Sequence, residues 1–263
     1  MAVDLLHRVW RQLCDAMVAL WSRRRRDPAG LRAAGPARNE IDPFASAPAE
    51  LWAFFREAPT LVQDDLGIHP LTEGESRAYS RALHKFSLGE RLGLVVLDDA
   101  NDSNPFCLVT TGLLRGSVLH LVHDDAPHIR FDSLAAFRRS LVEARDRGLH
   151  IDDLPVPPLQ PFGDQPALAN LLAELSREAG DWAVEQLCLH VPLLVPHDPV
   201  LLERLARHRD LFVREAVAEL LLERPTRGLD AIALRLAADS YRQIADPARR
   251  AVERMRALPP MSS

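Results

Sequence analysis

Lysine is almost missing from this chain: Lys85 is the single one among 32 basic residues, and arginine carries the rest of the positive charge. That bias reads as the codon usage of a GC-rich genome. Positive charge is not in excess either, since the formal net charge is -5 at pH 7. A general pull toward nucleic acid or anionic lipid is therefore not expected. Tyrosine is scarce, with two residues, and aromatics make up 6%. This leaves little of the aromatic and basic interleaving that single-stranded nucleic-acid surfaces use. Cysteine is limited to Cys14, Cys107 and Cys188. An odd, scattered set with no metal-ligand spacing makes neither a disulfide framework nor a zinc site, and a reducing cytoplasm is the expected setting. No run of 18 apolar residues occurs, so no membrane-spanning helix is expected. Asp4, Arg8, Arg11 and Asp15 interrupt the first apolar runs before a secretory h-region can develop. A G-x-S-x-G elbow, a Walker A loop and a G-x-G-x-x-G fingerprint are all missing.

What is present is ample core-forming material: 47% of the 263 residues are apolar and 26% are charged. That suits one large domain or two modest ones. Val3, Leu6, Trp10, Leu13, Met17 and Leu20 recur at alternating steps of three and four, which places them on one seam of a helix over 1–26. Arg23, Arg24, Arg25 and Arg26 follow at once. Such a seam docks on its own protein, pairs with a partner helix, or lies on an anionic membrane surface through its basic flank. Residues 27–48 carry four prolines and two glycines and read as a linker.

A mixed region is expected over 49–150. Leu51 to Ala58 suggests a short helix ending before Pro59, because the residue preceding a proline avoids the helical well. Thr72 to Phe86 suggests another, with Thr72 as N-cap and Glu75 as its capping-box partner. Strands are expected at Arg91 to Leu97, Phe106 to Thr111 and Ser117 to His123, the last central because it is apolar on both faces. Asp132 or Ser133 then starts a helix through Arg147 with Leu134, Phe137, Leu141 and Ala144 on one stripe. Leu154 to Pro166 holds five prolines and a glycine within the connector 151–166. Everything over 167–260 looks helical, with helices at 167–179, 181–194, 199–208, 210–223, 229–241 and 246–258. Asp181, Asp210 and Asp246 each precede a similar helical phrase.

Acidic residues crowd the strand ends. Asp98, Asp99, Asp102, Asp124 and Asp125 fall at strand ends or in adjoining loops, and Asp64 and Asp65 lie in an earlier one. Asp and Asn serve turns by local hydrogen bonding. A shared carboxylate rim would also meet a basic partner and speed its capture. In a strand, His120 and His123 point to opposite faces and do not chelate one ion. His128, past Pro127, is expected in a loop near His123. Cys107 sits inside a strand and reads as core.

The stretch from about Trp52 to Arg147 resembles the SUKH superfamily, whose bacterial members are mostly toxin-neutralising immunity proteins. The apolar strand before Asp98-Asp99 leads through Asn101, Asp102, Ser103 and Asn104 into Phe106-Cys107-Leu108, similar to the family's acidic loop and following strand. Val118 to Val122 with His123-Asp124-Asp125 resembles the partner strand and acidic turn, and Phe131 to Leu141 the closing segment. Trp52 and Ile68-His69-Pro70 are what match in the first half. Asp210 to Leu221, DLFVREAVAELL, resembles the second helix of a HEAT-type repeat at Val213 and Arg214, and Asp246 to Met255 echoes it. These resemblances imply an α+β domain with an antiparallel-rich sheet, followed by an all-α, HEAT-like helical domain.

They also imply a non-enzymatic immunity protein without cofactor or metal. Its partner would be a cognate toxin, basic and of a kind such as a nuclease, met by Asp98, Asp99, Asp102, Asp124, Asp125, Asp64 and Asp65. Two other classes stand beside this one. One is a regulatory scaffold for an endogenous partner; the other is a metal-dependent hydrolase built on the Asp/His loops.

Overall fold

The computed structural model describes residues 42, 44–63, 66–98, 104–122, 127–155 and 159–259. The amphipathic segment 1–26 and most of the linker lie outside them. The chain divides into two compact units, one ending at Pro158 and the other beginning at Leu159. This division falls inside the proline-rich stretch expected as a connector.

The first unit is α+β. Its helices α1 (Ala49–Leu61), α2 (Glu73–Leu83) and α3 (Ser87–Leu92) precede four short strands: β1 (Val95–Val96), β2 (Phe106–Leu108), β3 (Val118–His120) and β4 (His128–Phe131). Helix α4 (Leu134–Arg147) and a 3-10 turn (Ile151–Asp153) close it. The strands form an antiparallel meander in the order β1-β2-β3-β4, so β3 is indeed interior. The register slips between Val118 and Leu119 against β4.

Several boundaries differ from the sequence expectation. Helix α1 runs through Pro59 to Leu61. Ala58 and Leu61 are buried there, and that burial offsets the hydrogen bond that Pro59 cannot donate. Arg91 and Leu92 belong to α3 rather than to a strand; the helix stops at Gly93, whose φ is 58°. A Cβ at Gly93 would overlap Thr110 Oγ1, so the turn from α3 into β1 needs glycine for both backbone and space. The strands are shorter than expected, and β4 takes in His128, which had been expected in a loop. The Thr72–Glu75 capping box is present: Thr72 N–H and Oγ1 both donate to Glu75 Oε2, at 3.0 and 2.7 Å. Ser133, not Asp132, caps α4 by accepting from Ala136 N–H at 3.2 Å.

The core of this unit lies where α1 and α4 meet the sheet. Phe106, on β2, sits 5.2 Å from Phe137 and 5.8 Å from Phe131 between ring centroids, and Phe54 of α1 is 5.9 Å from Phe137. Full burial of side chains this size contributes about 2–3 kcal/mol each. The alternate strand positions Leu94, Val96, Cys107 and Leu119 are buried as well. Burial on both faces explains why these strands lack a clean apolar–polar alternation.

The outer edge of β1 is closed by side chains. Ser76 Oγ of α2 donates to Val96 O, and Ser80 Oγ accepts from Val96 N–H at 2.9 Å. Helix α2 thus supplies the hydrogen bonds that a fifth strand would otherwise supply.

The second unit is all helical among the described residues. It consists of α5 (Gln165–Leu175), α6 (Asp181–His190), a 3-10 turn (Val191–Leu193), α7 (Pro199–Ala206), α8 (Leu211–Glu223), α9 (Asp230–Ala237) and α10 (Arg242–Ala257). Helix α8 packs on α7 and α10, and α9 packs on α10. Asp164, Asp198 and Asp210 cap α5, α7 and α8 by accepting from backbone N–H groups. Asp246 does not cap a helix. It lies within α10, which starts four residues earlier because Ile244 and Ala245 are buried and extend the apolar stripe upstream. Val213 and Val217 of α8 point inward as expected.

Candidate functional site at one end of the sheet

In a meander, the β1–β2 and β3–β4 connections leave from the same end. Here the pairs Val96↔Cys107, Phe106↔His120 and His120↔His128 mark that end. The described residues flanking the two connections, Asp98 with Asn104 and Val122 with Pro127, follow directly from it. A bridge from Pro70 to Asp98, and another from Gln63 to Ile68, brings the earlier loop to the same strand terminus. Topology therefore brings the described flanks of three acidic segments to one end of the sheet. Asp64, Asp65, Asp99, Asp102, Asp124 and Asp125 themselves lie outside the described residues.

Asp98 is the described member of that set, and its placement corrects the expectation of a partner-facing carboxylate. It is 6% exposed and accepts from Phe106 N–H at 2.7 Å. A carboxylate spent on the backbone of the next strand pins the mouth of the β1–β2 connection. It is a structural acceptor, of the kind acidic residues provide at turns.

Behind this end lies a cluster that the sequence did not disclose. His120 stacks on Phe106, with centroids 4.3 Å apart and planes 17° apart. Its pairing partner His128 meets it edge-on at 5.6 Å. Asp152 Oδ1, from the 3-10 turn, lies 3.8 Å from His120 Nδ1. Arg130, 7% exposed, donates to Leu154 O at 2.9 Å and to the carbonyls of Ile151 and Asp152 at 3.5 Å. His120 Nε2 and Arg130 Nε are buried without a hydrogen-bond partner. Burial pushes the His120 imidazolium below its ordinary pKa. Asp152 pulls the other way, while His128 and Arg130 add to the depression. The sequence signal for this cluster was the phrase His128-Ile129-Arg130-Phe131, whose Ile and Phe mark a strand and thereby put His128 opposite His120.

Cys107 lies in the interior of this sheet; burial, with Asp98 nearby, pushes its thiol well above the ordinary value. That is an inert core thiol rather than a nucleophile. No group of three or more His, Cys, Asp or Glu among the described residues is placed to hold a metal ion. No helix among them is long and apolar enough to cross a membrane.

A cleft of about 540 Å³ opens elsewhere, between α1 and α4, over Phe54, Ala53, Leu134 and Ala135. Glu57 and Arg138 span it with two hydrogen bonds of 2.5 Å. That Arg138 hydrogen bond holds the Glu57 carboxyl below its usual range. These two charges neutralise each other at the exposed lining of the cleft, so the pair presents no reactive group.

No family model matches the chain, and neither the curated proteins nor the solved structures contain a match to it.

Proposed function

We propose that this protein is a non-enzymatic binding protein of the immunity type, which neutralises a basic protein toxin by covering its active site. The observation that supports this reading is topological: the described residues that bound the segments of Asp99 and Asp102, and of Asp124 and Asp125, lie at one end of the meander. A negative rim on a rigid sheet is suited to capturing a basic partner and fixing its register. Asp98 anchors that rim from within and is not a contact residue. The resemblance of 49–150 to SUKH proteins points the same way. The Asp-capped helices of 159–259 suit a HEAT-like stack, an architecture that offers extended surfaces to proteins. The test is size-exclusion co-elution of the full chain with the product of each adjacent open reading frame. A stoichiometric complex that abolishes the neighbour's toxicity supports the reading. Full toxicity of every neighbour in the presence of the chain contradicts it.

A further inference from the structure

We infer that the cluster of His120, His128, Arg130 and Asp152 is an acid-sensitive latch: a neutral His120 keeps β3, β4 and the 3-10 turn together, and its protonation frees the turn from the sheet.

The geometry carries the argument. His120 lies between the Phe106 ring on β2 and the His128 ring on β4, and its own exposure is 7%. An imidazolium there would lose most of its water. It would also face Arg130 and His128 across the β3–β4 pairing. Against these cations stands, among the described residues, the Asp152 carboxylate, at 3.8 Å and with its side chain 56% exposed. A half-solvated carboxylate at that distance is a weak counter-charge. The backbone of Asn104 assists the charged form slightly. His120 Nε2 has no acceptor for a second proton. The charge is thus poorly housed where it is.

Relief is available in one direction. The 3-10 turn is held to β4 by the Arg130 hydrogen bonds to Ile151, Asp152 and Leu154 carbonyls. Separating turn from strand hydrates His120, and that hydration replaces the weak counter-charge of Asp152, which leaves with the turn. The sign follows from linkage. A histidine whose folded-state pKa is depressed binds protons more readily in the open form. Opening therefore costs least at low pH, and closure is fully restored only above the ordinary histidine value of about 6.5.

The experiment uses the full chain and amide hydrogen exchange at pH 7.5 and 5.5, corrected for intrinsic exchange, with the amides of Ala248 to Val252 in α10 as internal reference. The expected result is a threefold to sixfold loss of protection at pH 5.5 for Ile129 to Phe131, Asp153 and Leu154, relative to that reference, below the roughly tenfold ceiling that one histidine proton sets between these two pH values. His120→Phe keeps the stack on Phe106 and removes the titrating group; its loss should shrink to less than twofold. Asp152→Asn removes the larger of the two attractions that favour the imidazolium, so its loss should exceed that of the unmodified chain. Equal protection at the two pH values overturns the latch. So does an acid response in Asp152→Asn no larger than in the unmodified chain, a readout that stands even if His120→Phe fails to fold.

Discussion

Arg214 of α8 donates from Nε to Asp239 Oδ2 at 2.8 Å, and the two side chains are only 16% and 13% exposed. Arg214 also donates to the carbonyls of His208 and Arg209, at 2.9 and 3.2 Å. One guanidinium thus ties the start of α8 to the turn that follows α9. Tyr241 N–H donates to the other Asp239 oxygen at 3.0 Å, at the entry to α10. Burial alone would raise the Asp239 carboxyl, but Arg214 and the backbone amides of Tyr241 and Ser240 outweigh it and hold it low.

Asp239→Ala should therefore destabilise the second unit by about 2 kcal/mol. That lies between an exposed pair, worth less than about 1 kcal/mol, and a broken buried pair at about 3–5 kcal/mol. Urea unfolding of the full chain measures it. Because Asp239 is depressed, the pair's contribution is present above the unfolded carboxyl value and is lost as pH falls through the folded one. The difference between Asp239→Ala and the unmodified chain should vanish under strong acid.

The sequence showed much of this second unit and less of the first. The helices are legible because apolar spacing and Asp caps are local signals, as at Asp210 and Asp198. Asp246 misled because a cap-like Asp before Pro247 looks the same whether or not Ile244 and Ala245 are buried. In the first unit, strands of two to four residues are too short to show a period. Val95 and Val96 are legible as part of a strand over Arg91 to Leu97, but its short extent is set by Gly93 and by the register with Leu108 and Cys107. The His120–His128 pairing depends on β4, whose local mark is no more than Ile129 and Phe131 two places apart after Pro127. Asp98 looked like its acidic neighbours, and only the hydrogen bond from Phe106 N–H separates it from them.

Ser80→Ala should cost about 1–3 kcal/mol, because Val96 N–H would then be buried without an acceptor. Ser76→Ala should cost a similar amount through Val96 O. The two act on one residue, so the double variant should fall short of the sum. Thermal unfolding of the three variants checks it. An additive double variant would mean that the two serines act independently.

Gly93→Ala should be worse than either serine change, by about 3 kcal/mol or more. The new Cβ meets Thr110 Oγ1, and the backbone sits in the left-handed region. Thr110 Oγ1 also donates to Gly93 O at 2.7 Å, so the clash would break that hydrogen bond too. Thr110→Ser at the same site should be tolerated, since it keeps the hydroxyl. Melting temperatures compare the two.

The whole chain should lose stability as pH falls below about 6.5. Burial depresses His84, His120, His190 and His208 alike. Partial compensation comes from the carbonyls of Leu94 and Gln186 for His84 and His190, from Asp152 for His120 and from Asp210 for His208. A depressed histidine contributes fully above the unfolded value, and the contribution is lost as pH falls from there through the folded value. Urea titrations at pH 7.5, 6.5 and 5.5 should give a midpoint that declines at each step.

The rim assignment is tested most directly by isothermal titration of the full chain with the adjacent gene product that co-elutes with it, before and after charge reversal at Asp99, Asp102, Asp124 and Asp125. The account predicts a tight one-to-one complex whose affinity falls at least a hundredfold on reversal and only slightly in Asp98→Asn, provided that variant folds. Unchanged affinity after reversal of all four would contradict it.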